Sequence, residues 1–301
     1  MTPDEAFKLA FSRYGEAVRD GAFGYDMRGL LSSGRSDAGR AHFGIVDSPH
    51  LNAVATRVAG IELTAFFAGA PICLLNAFNA FLSDPDVLPL IGDPSKGSPA
   101  LGAVEVFDHY AILARGGIGP PKCPHRSTLA RNLASSAQCF LLFHERAHIE
   151  LGHLELLSTR FGAHALEECA FGPMDDAVLA VRRALELDAD NAAAFTSLRM
   201  WRDTWIADEA VGPRDSDRDA LWLLSLYFVF SLFDLVTPSA RNRRRATHPS
   251  PRTRAFAVLL AVEGLRWLPD LNVPPVVWMG PKNFLKQAST WLRSAAGREK
   301  G

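Results

Sequence analysis

His144, Glu145 and His148 stand together in the run HERAH, residue types whose spacing suits one metal ion and one base. The run lies within a stretch that reads as helix, where positions i and i+4 share a face. Both imidazoles then point the same way and can reach one zinc ion at about 2.0–2.1 Å. Glu145, about 100° further round the helix, is expected to act as the base. There its carboxylate can take a proton from water held at the metal.

A catalytic zinc needs a third protein ligand and keeps one position open. The spacing HExxHxxGxxH, which would supply another histidine, fails because Leu151 and Leu154 occupy the relevant places. His153, five residues past His148, falls on a different helical face and reads as a polar surface or capping residue. The run ALELDADNAA at 184–193 offers Glu186 and Asp190 instead, again spaced i and i+4. Glu186 is expected as the third ligand, and Asp190 as the acceptor that fixes a ligand histidine's tautomer. Without HERAH nearby, these acids and Asp188 would read as a solvated patch. Cys123 and His125 in KCPH make only two ligands on a Pro-rich loop, too few for a site.

Gathering these side chains requires two long helices. Ser127–Thr159 reads as one, capped by Ser127, and Asp175–Trp205 as the other, opened by Pro173 and Asp175. Residues 3–20 read as an amphipathic helix with Phe7, Ala10, Phe11, Tyr14 and Val18 on one stripe. His42–Val46 and Ile61–Phe67 read as strands. Further helices are expected at Pro71–Ser83, Leu101–Ala114, Asp217–Val236, Arg254–Trp267 and near 281–296.

The chain has 301 residues, 48% of them hydrophobic and 22% charged, enough for a large core. Its 32 basic and 33 acidic residues give a net charge of -1, which argues against a general nucleic-acid partner. The four cysteines are scattered without a C-x-x-C pair, so no disulfide framework is expected. The first residues, MTPDEAFKLAFSRYGEAVRD, lack the apolar stretch of a secretory signal, and a cytoplasmic setting is expected. Residues 63–82 are interrupted by Gly69, Pro71, Asn76 and Asn79, and residues 220–233 are short of the ~20 apolar residues a span requires. Both read as buried segments, so membrane association is not favoured.

HExxH followed by ExxxD resembles the gluzincin zinc peptidases, particularly the HtpX and CAAX-prenyl-protease group. PHLNAVATRVAGIELTAFFAGA at 49–70 is similar to that group's N-A-x-A element and its active-site edge strand. THPSPRTRA at 247–255 is similar to its H-P-x-x-x-x-R element, matched by His248, Pro249 and Arg254. The interval between His148 and Glu186 is nearer in length to compact Lit-type phage-exclusion peptidases. The resemblance implies a zincin-like metallopeptidase with Zn2+ as cofactor and a peptide or protein as substrate. It offers His248 as a catalytic oxyanion donor and Arg254 as a supporting residue. It also gives Ile61–Phe67 the task of binding extended substrate by strand addition.

The expected architecture is α+β and mainly helical, with an N-terminal helical extension over residues 1–40 and a zincin-like domain over 41–296. Two rival readings are a membrane-associated protease of the same class and a non-catalytic zinc-binding regulator on the same scaffold. An intact Glu145 argues against the second, since binding alone needs no base there.

Overall fold

Short strand-like runs near residues 41–67 give way to helical spacing beyond Pro124, and the fold follows that change. The computed structural model describes residues 1–12, 17–18, 41–97, 118–162, 165–167, 175–205, 215–236 and 248–265. Among them the chain is α+β and mainly helical. The helices are α1 (Pro3–Phe11), α2 (Gly69–Ser83), α3 (Pro124–Glu150), α4 (His153–Phe161), α5 (Asp176–Trp205), α6 (Asp215–Val236) and α7 (Pro251–Leu265). The strands are β1 (Ala17–Val18), β2 (Ala41–Val46), β3 (Ala53–Val58), β4 (Ile61–Phe67) and β5 (Ala165–Glu167). The helices expected at Leu101–Ala114 and near 281–296 lie outside the described residues. The chain divides into two compact units, the first holding residues 1–70, 141–193 and 237–249.

In the first unit the five strands form one sheet in the order β1-β2-β4-β3-β5. β2 and β4 are parallel, and the other neighbours are antiparallel. A two-residue turn, Ala59-Gly60, joins β3 to β4, with φ of 50° and 79°. Two successive positive φ values suit the twist of a hairpin, and glycine takes such a value without a side-chain clash. β4 forms over the expected residues but is not an edge strand. β2 pairs with one side of it and β3 with the other, so its backbone groups are already used and cannot receive a substrate strand. Among the described residues, the edges of the sheet are β1 and β5.

The N-terminal helix is shorter than expected, ending at Phe11, and Val18 lies in β1 instead. A reciprocal cap starts it: Glu5 N donates to Thr2 Oγ1 at 3.2 Å and Thr2 N donates to Glu5 Oε2 at 2.6 Å. Its Ala6, Phe7 and Phe11 pack with Val46, Val54, Leu63, Ala65 and Phe67. Residues 3–11, set apart by sequence as an extension, thus belong to the core of this sheet.

Successive strand residues point to opposite faces. Val54 faces α1, and Ala55 faces the other way, joining Ile149, Leu154, Leu157 and Leu185. Ile149 and Leu185 are the immediate neighbours of His148 and Glu186. Burying each such side chain contributes about 1.5–3 kcal/mol, which fixes the rotation of α3 and α5 where the site lies.

The helix of HERAH differs from expectation at both ends. It starts at Pro124, a residue suited to a first helical position, and Ser127 N donates to Cys123 O at 2.9 Å inside the first turn. Ser127 is therefore not the cap. The helix stops at Glu150, Gly152 takes φ 73°, and α4 begins at His153. At the other long helix, Asp175 behaves as expected, accepting from Ala177 N at 2.7 Å.

In the second unit, the apolar run 220–233 is buried as a core helix, with Tyr227 half-buried. Phe228 of α6 stacks on Phe78 of α2 at 4.7 Å, and Phe230 meets Phe140 of α3 edge-on at 5.4 Å. Buried Arg126 donates to five carbonyl oxygens, those of Leu82, Asp84, Val87, Leu88 and Ile91. Among the described residues, no helix is long and apolar enough to cross a membrane.

Candidate metal centre

α3 presents His144 and His148 one turn apart, with their Nε2 atoms 3.0 Å from each other. α5 brings Glu186 to the same point. Its Oε2 lies 3.2 Å from His144 Nε2, and its Oε1 lies 3.7 Å from His148 Nε2. All three residues are buried, at 0%, 1% and 2% exposure. Their ligand atoms lie within 4.8 Å of one another, and among the described residues this group could hold a metal ion. Two nitrogens bound to one tetrahedral ion at ordinary lengths stand roughly 3.3 Å apart, so the observed spacing needs little adjustment.

Behind the first ligand, Asp190 Oδ1 is 2.9 Å from His144 Nδ1, both side chains being fully buried. A carboxylate that close favours a hydrogen on Nδ1 over one on Nε2, which leaves Nε2 with its lone pair toward Glu186 and His148. Such a cluster of lone pairs, shut away from water, suits a cation at its centre.

His248 approaches from the segment before α7, its Nε2 2.9 Å from Glu186 Oε2. Burial opposes ionisation of Glu186, but the nearby His248 and His148 imidazoles hold its carboxyl well below the ordinary 4.5. Glu145 is buried at 1% exposure beside His144 on α3. Arg254 belongs to the second unit, buried with its guanidinium carbon 4.4 Å from the centroid of the Phe230 ring.

His153 is the principal correction. Expected at the surface, it is buried at 3% exposure, and its Nδ1 lies 2.9 Å from His148 Nδ1. Its Nε2 is 3.3 Å from Asp188 Oδ2, a carboxylate that is 63% exposed. Burial pushes the His153 imidazole below its ordinary 6.5, against the pull of Asp188. The face assigned to His153 presumed an unbroken helix, whereas the left-handed turn at Gly152 resets the phase. The signal was present in LGH, because glycine commonly ends a helix in this way.

His144, His148, Glu186, Asp190 and His248 are thus brought together within the first unit. Comparisons with protein-family models, with curated proteins and with solved structures find no match for the chain.

Proposed function

We propose that this chain is a zinc-dependent metallopeptidase of the gluzincin type, built on a zincin-like fold, that hydrolyses peptide bonds in a peptide or protein. The observation that carries this reading is the convergence of His144 Nε2, His148 Nε2 and a Glu186 carboxylate at one buried point. Two imidazoles and one carboxylate, without a thiolate, are a donor set that suits zinc and leaves a fourth position for water or substrate. When bound, zinc supplies a Lewis acid that polarises the scissile carbonyl and makes water a stronger acid.

The protein residues then divide the remaining tasks. Glu145 accepts the proton of the attacking water and returns it to the leaving amine. Asp190 holds His144 in the ligating tautomer. His248 orients Glu186, since its Nε2 is already 2.9 Å from Oε2 and reaching an oxyanion would mean giving up that contact. Arg254 is assigned no direct part in the chemistry.

The test is hydrolysis of a casein-type substrate by zinc-loaded protein, chelator-treated protein and the Glu145→Gln variant. Activity in the first alone supports the proposal. Equal cleavage by wild type and Glu145→Gln overturns it.

A further inference from the structure

His153 and Asp188 lie beyond the ligands and the base, yet they continue the polar contacts outward from His148. Asp188 Oδ2 is 3.3 Å from His153 Nε2, and His153 Nδ1 is 2.9 Å from His148 Nδ1. A carboxylate can only accept, so the hydrogen in the first contact belongs to His153 Nε2. A neutral imidazole with one N–H has a lone pair on its other nitrogen, here Nδ1. The second contact then requires His148 Nδ1 to donate. His148 Nε2 is left with its lone pair facing His144 Nε2 at 3.0 Å and Glu186. With the opposite assignment, a hydrogen on His148 Nε2 would occupy the position a metal must take.

We infer that His153 and Asp188 are positioning residues that fix His148 in its metal-binding tautomer, as Asp190 does for His144. The inference rests on the metal centre of the preceding reading. It explains why a histidine sits buried directly after the Gly152 turn. α5 therefore steadies both ligand histidines, through Asp190 directly and through Asp188 by way of an intervening ring.

Zinc affinity measured by chelator competition tests this without relying on activity. His153→Leu, which keeps an apolar fill beside Leu154 and Leu157, is expected to weaken zinc binding about 10–100-fold. His153→Asn can place a side-chain oxygen near the position of Nδ1, and is expected to recover most of that loss. The visible spectrum of the cobalt-substituted protein is expected to change in the leucine variant and to stay near wild type in the asparagine variant. Wild-type zinc affinity in a folded His153→Leu protein overturns the inference. Should that variant fail to fold, wild-type affinity in Asp188→Ala, a change at an exposed carboxylate, overturns it instead. Wild-type protein that binds zinc but hydrolyses nothing sinks the peptidase proposal while leaving this relay standing. Wild-type protein that binds no zinc overturns both.

Discussion

Asp190 offers a perturbation whose size follows from the contact it makes. Its carboxylate and the His144 ring are both fully buried, 2.9 Å apart. Asp190→Asn keeps the volume and an oxygen that can accept the Nδ1–H, but removes the charge that favours a ligating, partly positive imidazole. Changes to such supporting partners typically weaken metal binding by about 10–100-fold, which corresponds to about 1.4–2.8 kcal/mol. Asp190→Ala goes further by removing the acceptor. Leaving a buried donor without its partner costs about 1–3 kcal/mol, and His144 becomes free to carry its hydrogen on Nε2, where zinc must displace it. The alanine variant is therefore expected to lose more zinc affinity than the asparagine variant, and to unfold at lower urea concentration in the presence of chelator. Chelator competition gives the affinities and urea titration the stabilities. If both variants bind zinc within about threefold of wild type, well short of the loss expected from removing such a partner, Asp190 does not set the tautomer of His144.

Glu145→Gln is expected to keep its zinc and its fold while losing about 10²–10⁴-fold in hydrolysis, the usual share of a general base; loss of zinc from this variant would make Glu145 a ligand. Glu186 is expected to stay ionised at pH 4.5 in metal-free protein, because its carboxyl is held well below that ordinary value. The sign follows from proton uptake: an unfolded glutamate binds its proton first, so the ionised group favours the folded state at neutral pH. That contribution is lost as pH falls through the lowered value. A carboxyl-carbon NMR titration with a midpoint at or above 4.5 would contradict it. Gly152→Ala places a side chain at φ 73° and is expected to destabilise the protein by about 1–2 kcal/mol. It should also weaken zinc binding by displacing His153; unchanged melting and affinity would show that the turn is not what sets that ring.

The centre was legible because its pieces are local. HERAH and ELDAD each place two side chains one helical turn apart, and a regular helix preserves that relation wherever it packs. The long helices themselves followed from periodicity, and the strands at 42–46 and 61–67 from short runs beside turn residues, the second rich in β-branched and aromatic side chains. What failed depended on partners distant in sequence or on a single backbone angle. Whether Ile61–Phe67 lies at an edge depends on the pairing of β2 and β3, and β3 was not read as a strand although Val54, Thr56 and Val58 alternate along AVATRV. His153 was assigned to the wrong face because one left-handed residue, Gly152, interrupts the helical phase. The contact between His248 and Glu186 joins residues far apart in the chain, and spacing alone could not reveal which atom His248 meets.

Metal content of the purified protein, wild type beside the His144→Ala, His148→Ala double variant, tests the centre most directly. Close to one zinc per wild-type chain and almost none in a folded double variant is the expected result. Equal zinc in both proteins would contradict the assignment of His144, His148 and Glu186 as the metal site.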